Sequence, residues 1–153
     1  MLHPIYMPRS LLLCALFMSL PCGAELASEI LSTAHDGRWS AFLSCADTNH
    51  PRGNARGYTY NVTVQITGGR LEGSFDERVP PAFVHFIGRV LVDGTLFIDV
   101  DGLSGSPDAT VGKIPRGTPY RYTMKGQLEA DRGRADRVEL RPCTAEFVRQ
   151  TSQ

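Results

Sequence analysis

Residues 58–67, YTYNVTVQIT, form the stretch that most restricts the folds open to this chain. Tyr, Val and Ile occupy the even positions, while Thr, Asn and Gln occupy the odd positions. Side chains of a strand point alternately to two faces, so the pattern predicts a strand with one buried and one solvated face. Gly68-Gly69 follows at once and predicts a tight hairpin into a return strand at 70–75. An antiparallel sheet is therefore expected.

Most of the remaining sequence repeats this pattern of short strands and turns. Asp93-Gly94 predicts one further hairpin turn, and Asp131-Arg-Gly133 predicts another. No stretch shows helical periodicity over a useful length. Longer loops are expected at 46–57 and 102–118, where Gly, Asn, Pro and Arg accumulate. The other predicted strands lie at 39–45, 88–92, 95–100, 120–129, 134–140 and 144–149.

About eight antiparallel strands in one small domain raise the question of the two sheet edges. An open edge exposes unpaired backbone groups and invites aggregation. Closing the sheet on itself removes both edges. The predicted fold is therefore all-β, an eight-stranded up-and-down barrel of the calycin-like type. A two-sheet β-sandwich is the alternative.

The first 24 residues predict a secretory signal peptide. Arg9 precedes an apolar run at 11–20, and the small residues Cys22-Gly-Ala24 follow it. The run is about half of the ~20 residues that a membrane-spanning helix needs. We expect an exported protein with no membrane span in the mature chain. Residues 25–35 would be a lead-in or short helix, and 36–153 a single barrel domain.

Signal-peptide cleavage would leave two of the four cysteines. Cys14 and Cys22 belong to the peptide, whereas Cys45 ends the first predicted strand and Cys143 begins the last. In an oxidising compartment such a pair is expected to form a disulfide. A disulfide needs Cα atoms ~4.4–6.8 Å apart. The pair would therefore bring the first and last strands together, which favours the closed barrel over the sandwich.

Charge and composition narrow the possible partners. Lys plus Arg and Asp plus Glu both number 16, and a nucleic-acid-binding protein needs a clear basic surplus. No nucleic-acid partner is therefore expected. One arginine series, Arg132, Arg134, Arg137 and Arg141, is interleaved with acidic residues. Alternating signs predict a solvated hairpin face, and the sharper alternative is a patch for an anionic partner.

The start of the first strand carries a short motif, Gly37-Arg-Trp39. It resembles the Gly-x-Trp motif of lipocalin-like barrels. That resemblance implies that Trp39 closes the barrel floor and that a late arginine packs over it. The late arginine of this chain would be Arg141 or Arg149.

A second resemblance extends over most of the mature chain. The segments Asp36-Gly-Arg-Trp39, Gly117-Thr-Pro-Tyr120 and Arg141-Pro-Cys143 are similar to those of small secreted all-β proteins of alphaproteobacteria. The resemblance implies a bacterial periplasmic or exported protein. It implies no particular activity.

The aromatic residues provide the candidate ligand site. Tyr58 and Tyr60 share the apolar face of one predicted strand, and Tyr120 and Tyr122 share that of another. With Trp39 at the floor, these tyrosines would line a small-molecule cavity at the barrel mouth. The alternative is that they fill the core, as side chains do in small barrels. The volume of the cavity decides between the two.

Catalytic and metal-binding patterns are weak. His35, His50 and His85 are scattered, and no cysteine or glutamate accompanies them at zinc-ligand spacing. Asp99-Val-Asp101 has neither the third ligand position nor the distal Glu of a calcium loop. No catalytic residue, metal or cofactor is therefore assigned.

Together these patterns predict an exported, non-catalytic binding or interaction module. Its partner would be an unidentified small apolar ligand or an envelope protein. One alternative is a periplasmic enzyme that uses His85 or His50 with a loop carboxylate. The other is a structural or inhibitory envelope protein that acts through its loops, chiefly 102–118.

Overall fold

The computed structural model describes residues 30–76 and 82–151. These residues form ten strands, and a short 3₁₀-helix, Pro107–Ala109, lies between the seventh and the eighth. The predicted signal peptide, including Cys14 and Cys22, lies outside the described residues. The strands are β1 Gly37–Cys45, β2 Thr48–His50, β3 Gly53–Ala55, β4 Tyr58–Thr67, β5 Arg70–Asp76, β6 Phe83–Val90, β7 Thr95–Leu103, β8 Pro119–Leu128, β9 Arg132–Arg137 and β10 Cys143–Arg149.

Eight of these strands close into an antiparallel barrel, which confirms the predicted fold class. The order around the barrel is β1-β10-β9-β8-β7-β6-β5-β4, and β1 pairs with both β10 and β4. Strands β2 and β3 form a separate hairpin between β1 and β4. Because β1 is hydrogen-bonded on both sides, the barrel has no free edge to protect.

The predicted disulfide is present and ties the first barrel strand to the last. Cys45 and Cys143 lie directly opposite each other in the β1–β10 pair, with Cα atoms 4.0 Å apart. Both cysteines are buried. The bridge connects positions 98 residues apart in the sequence. The closure inferred from the two cysteines is confirmed.

The period of two places the apolar residues inside the barrel. In β4, Val62, Val64 and Ile66 are buried, whereas Thr63 and Gln65 are exposed. Strand β4 pairs with β1 so that Val64 lies opposite Trp39. The barrel interior at the level of Trp39 is filled by large side chains, chiefly Trp39 itself, Phe86 and Phe147.

Small residues make room for these large ones. An added Cβ at Gly73 would lie 2.7 Å from Val64, and one at Gly88 would overlap the carbonyl of Phe97. Ala41 and Ala145 are fully buried on neighbouring strands. Alternation of small and large interior residues is how a small barrel packs without voids. The part of the barrel around Trp39 is therefore filled by side chains.

The two ends of the barrel differ in their connections. At the floor end, β4 and β5, β6 and β7, and β8 and β9 are joined by short turns. Asp36 accepts hydrogen bonds from the backbone N–H groups of Gly68 and Gly69, which both have positive φ. At the opposite end, here called the mouth, lie the longer connections 46–57, 104–118 and 138–142.

Several predicted boundaries were wrong. Strand β6 begins at Phe83, five residues before the predicted 88–92 strand, and β9 ends at Arg137 rather than at 140. The 46–57 loop contains the β2–β3 hairpin. Residues 30–35 are the described part of the predicted lead-in or short helix, and they contain no helix; Leu31 makes an isolated bridge to Leu91. Tertiary contacts with the barrel end, rather than local propensity, hold this segment.

Across 30–76 and 82–151, no helix has the length and hydropathy required to cross a bilayer.

Candidate functional site

The four tyrosines of the candidate site meet at the barrel mouth. Tyr58 and Tyr60 open β4, and Tyr120 and Tyr122 open β8. Four steps around the eight-stranded barrel separate β4 from β8, so the two pairs project inward from opposite walls. The rings of Tyr58 and Tyr60 are 5.2 Å apart, and those of Tyr120 and Tyr122 are 5.9 Å apart and nearly parallel. We call these four rings the tyrosine layer.

A pocket of about 420 Å³ lies between the tyrosine layer and the mouth loops. This volume falls within the ~300–1,000 Å³ range of small-molecule sites. The loop side includes apolar residues of the 104–118 connection, such as Val111 and Ile114. The four tyrosines line this cavity and also belong to, or pack against, the buried core.

Gly102 on β7 leaves space for the ring of Tyr120 in the tyrosine layer. It faces inward beside Tyr120, with which it is paired in register. A Cβ at Gly102 would overlap the phenol end of Tyr120 and approach the Phe83 carbonyl oxygen. The Tyr120 hydroxyl lies 3.5 Å from that same carbonyl, to which it donates a hydrogen bond. Glycine is required here because the aromatic ring occupies the space of a side chain.

The tyrosine hydroxyls are neutral and incompletely paired. The Tyr122 hydroxyl is buried, and no described atom meets the geometric criteria of a hydrogen bond to it. The Tyr58 hydroxyl is its polar neighbour and contributes to the pKa of both phenols. Burial raises the pKa of Tyr58, Tyr120 and Tyr122 above the ordinary value. Nearby arginines oppose the rise and do not overcome it. Each phenol therefore keeps its proton as a potential donor at neutral pH.

Arg141 fastens the mouth loops together. Its Nε and Nη2 donate to the carbonyl oxygen of Ala46, at 2.9 and 2.7 Å, and Nη1 donates to that of Ala109 at 2.6 Å. Nη2 also donates to the carbonyl of Arg56. The residue is buried, and its guanidinium lies 5.0 Å from the ring centre of Tyr58. One side chain thus connects the ends of the 46–57 connection with the 104–118 loop.

Burial opposes the charged form of this guanidinium. Desolvation lowers the pKa of Arg141, and the charge of Arg137 lowers it further. Among the described residues no carboxylate lies within ion-pair distance of Arg141. Asp47 acts on it only from farther away and raises its pKa. Backbone carbonyl dipoles, rather than an acidic partner, therefore stabilise the buried cation.

Arg137 is the second arginine of the pocket, and its guanidinium has no ion-pair or hydrogen-bond partner among the described residues. It lies at the end of β9, where Ala135 shows that the odd positions point inward. Its guanidinium lies 4.2 Å from the ring centre of Tyr122. Within the described part of the chain it makes no ion pair or hydrogen bond, and its Nε is buried without a partner.

The other two arginines of the predicted series lie outside the pocket. Arg134 points outward and pairs with Asp136 at 2.9 Å, and Arg132 lies next to Asp131 at 3.4 Å. The series therefore divides: the interpretation as a solvated face holds for Arg132 and Arg134 but fails for Arg137 and Arg141. The sequence could have predicted the inward direction of Arg137, because Arg137 lies two residues after the apolar Ala135 in the same strand. No neighbouring residue in the sequence indicated that Arg141 would be buried.

The described residues give the pocket a positive charge. Arg52, Arg121, Arg137 and Arg141 line it, and no Asp or Glu is among the described lining residues. Arg121 is neutralised on the outer face by Asp101, at 2.6 Å. The remaining arginines lack a carboxylate within ion-pair distance in the described chain, whereas the whole sequence is formally neutral.

Trp39, the fifth aromatic residue of the predicted site, does not line this pocket. It is fully buried at the floor end, where its Nε1 donates to the His35 carbonyl at 2.9 Å. Of the two arginines named for the late position, Arg149 lies over Trp39, with 5.0 Å between guanidinium and ring centre. Arg149 also donates to the Ala34 carbonyl. Trp39 therefore belongs to the closed end.

The histidines are distributed over three separate places. His85 faces outward on β6, 3.5 Å from Glu72. His50 lines the mouth pocket, and its Nδ1 accepts a hydrogen bond from the Arg52 backbone N–H. His35 lies at the floor, 3.2 Å from the Ser32 hydroxyl. In ranges 30–76 and 82–151, no three His, Cys, Asp or Glu side chains are grouped closely enough to hold a metal.

The raised tyrosine pKa values predict a loss of stability in alkali. An unfolded tyrosine ionises near its ordinary pKa of 10.0, but the folded Tyr58, Tyr120 and Tyr122 stay neutral to higher pH. The stabilisation is complete below about pH 10 and is lost above it, by up to ~1.4 kcal/mol per tyrosine and pH unit. Urea unfolding from about pH 8 to about pH 11, with tyrosinate absorbance, measures this.

Tyr122→Phe serves as the control because it removes one ionisable group and leaves the ring. The alkaline slope of the unfolding free energy should then fall by one tyrosine's contribution. Titration of all tyrosines near their ordinary pKa in the folded protein would contradict the prediction.

Comparisons with protein-family models, with curated proteins and with solved structures found no match for this chain. The functional argument therefore rests on the chemistry of the mouth pocket.

Proposed function

We propose that this protein is an exported, non-catalytic binding module that holds a small ligand with an apolar body in its mouth pocket. The observation that carries the proposal is the pocket of about 420 Å³ lined by the tyrosine layer. Aromatic rings on one side and aliphatic loop residues on the other suit an apolar body. The lower barrel is filled by Trp39, Phe86 and Phe147, so the ligand site is confined to the mouth.

Two observations support export. The first 24 residues have the charged start, apolar centre and small-residue exit of a signal peptide. The Cys45–Cys143 disulfide is of a kind that persists in oxidising compartments such as the periplasm. We therefore place the mature protein in the bacterial periplasm or medium.

A pocket-filling substitution tests the binding proposal. Val111 lines the pocket from a mouth loop and is half-buried, so Val111→Trp should occupy the cavity without disturbing the barrel. A panel of naphthalene derivatives and medium-chain lipids supplies the probes. A probe at a hundred times its Kd should stabilise the wild type by ~2.7 kcal/mol and raise the melting temperature by roughly 5–10 °C. Val111→Trp should abolish that rise.

The matched control adds the same side chain elsewhere. Ile87 is 48% exposed on the outer wall of β6, so Ile87→Trp should retain the ligand-dependent rise. The binding proposal fails if no probe stabilises the wild type, or if Val111→Trp responds as strongly as Ile87→Trp.

A second candidate, recognition of an envelope protein, is favoured by one feature of the mouth. Val138 is 67% exposed and Leu140 is 68% exposed in the 138–142 connection, and Leu140 also lines the pocket. Adjacent exposed apolar side chains of this kind can form part of an interaction surface. Val138→Asp should then weaken association with that partner and leave ligand-dependent melting unchanged.

A further inference from the structure

The mouth pocket contains two hydrogen-bond donors that have no acceptor among the described residues. The Nε of Arg137 and the hydroxyl of Tyr122 are both buried and both without a partner. The two groups are close, because the Arg137 guanidinium lies over the Tyr122 ring. A buried polar group without a partner costs about 1–3 kcal/mol. Such pairs of open donors in a cavity indicate a position for a ligand oxygen.

The positive charge of Arg137 favours a ligand oxygen that carries a negative charge. Four of the five N–H groups of Arg141 donate to backbone carbonyls, whereas the Arg137 side chain donates to none of the described residues, so Arg137 is the more available guanidinium inside the pocket. Its charge is uncompensated by any described lining residue. A planar guanidinium binds a carboxylate through two parallel N–H···O bonds. The adjacent phenol of Tyr122 can donate a further hydrogen bond, since burial keeps it protonated.

The aromatic and aliphatic walls of the pocket favour a flat apolar body for the rest of the ligand. Tyr120 and Tyr122 are stacked nearly in parallel, with an interplanar angle of 11°. Tyr60 stacks on Phe75 at 4.6 Å. Stacking of this kind presents ring faces and edges to a flat aromatic body. The opposite side of the pocket is aliphatic, through Val111 and Ile114.

We infer that the ligand is an aromatic carboxylate: its carboxylate binds Arg137 and the Tyr122 hydroxyl, and its ring lies against the tyrosine layer. The inference rests on the proposed binding function and names the ligand class of the same pocket. Arg52 at the rim adds positive potential that attracts the anion on approach. A fully hydrated inorganic anion would leave the aromatic and aliphatic walls unused.

Calorimetric titration with matched probes tests the inference. The probes are 2-naphthoate, neutral 2-naphthalenemethanol, decanoate and inorganic phosphate. Naphthoate should bind at least about tenfold more tightly than the alcohol, because a hydrogen bond to a charged group is worth ~1.5–3 kcal/mol. Arg137→Met keeps the aliphatic stem over Tyr122 and removes the charge. It should weaken naphthoate about 10- to 100-fold and leave the alcohol nearly unchanged.

The control variant is Arg134→Met, three positions earlier on the outer face of β9, where naphthoate affinity should be unchanged. Fluorescence of Trp39, the only tryptophan, reports at the distant floor that each variant is folded. Equal affinity for naphthoate and the alcohol, or equal effects of Arg137→Met and Arg134→Met, overturns the inference while leaving the binding function intact. Tighter binding of decanoate or phosphate also overturns it. Failure of all probes contradicts the binding function itself.

Discussion

Reduction of the Cys45–Cys143 disulfide should lower the free energy of unfolding by about 4–5 kcal/mol. The bridge closes a span of 98 residues, and its main effect in the chain-entropy model is to restrict the unfolded chain. Both sulfurs are buried at the β1–β10 seam, so reduction also frees the strand pair that closes the barrel. Urea unfolding followed by Trp39 fluorescence, with and without a reductant, measures the change.

The reduced wild type and a Cys45→Ala/Cys143→Ala variant separate the cross-link from side-chain packing. The reduced protein keeps both side chains, whereas the variant also loses the buried sulfur atoms. The variant should therefore be at least as destabilised as the reduced protein, and reductant should not affect it further. A loss below about 1 kcal/mol on reduction would show that the bridge does not restrict the unfolded chain as the entropy model requires.

Arg141→Ala should destabilise the fold by about 3 kcal/mol and release the mouth loops. The substitution leaves the carbonyl oxygens of Ala46, Arg56 and Ala109 without their donor. Hydrogen bonds to a charged group are worth ~1.5–3 kcal/mol each, and the loops recover part of this by binding water. Because the pocket depends on those loops, ligand-dependent stabilisation should be lost too. Urea unfolding and hydrogen exchange at the Arg56 amide measure both effects.

Two variants show whether the fork geometry of Arg141 matters. Arg141→Lys keeps the positive charge but has a single donor nitrogen in place of three, so it should recover less than half of the stability that Arg141→Ala loses. Arg134→Ala removes an exposed arginine whose ion pair with Asp136 is worth at most ~1 kcal/mol. If Arg141→Ala costs no more than Arg134→Ala, Arg141 does not fasten the loops.

The tyrosines show how far sequence reasoning reached into the site. Tyr58 and Tyr60 lie in phase with Val62 and are inward, as the alternation predicted. The same alternation identified Tyr120 and Tyr122 as the inward residues of β8. It did not give the distance between β4 and β8. That distance is set by barrel closure, which places β4 and β8 on opposite walls. Alternation therefore predicted the lining, and the cavity followed from topology.

The arginines show where local patterns fail. Arg132, Arg134 and Arg137 belong to one short strand, and charge patterning assigned all of them to a solvated face. The structure turns Arg137 inward because Gly133 and Ala135 set that phase in β9. A charged side chain is admitted there because the strand ends at the open mouth, next to aromatic rings that accept a guanidinium.

The sequence by itself determined the all-β class, the hairpin turns, the inward face of most strands and the cysteine pair that joins the first strand to the last. The first three properties depend on period-two alternation and on glycine at turns, both of which act between near neighbours in the chain. The cysteine pair was inferred separately, because Cys14 and Cys22 belong to the predicted signal peptide. The tertiary structure alone decided that Arg149 rather than Arg141 packs over Trp39, that Arg141 joins loops up to 95 residues away, and that Arg137 has no partner among the described residues of the pocket. Those outcomes depend on contacts between distant segments, which form only when the barrel closes.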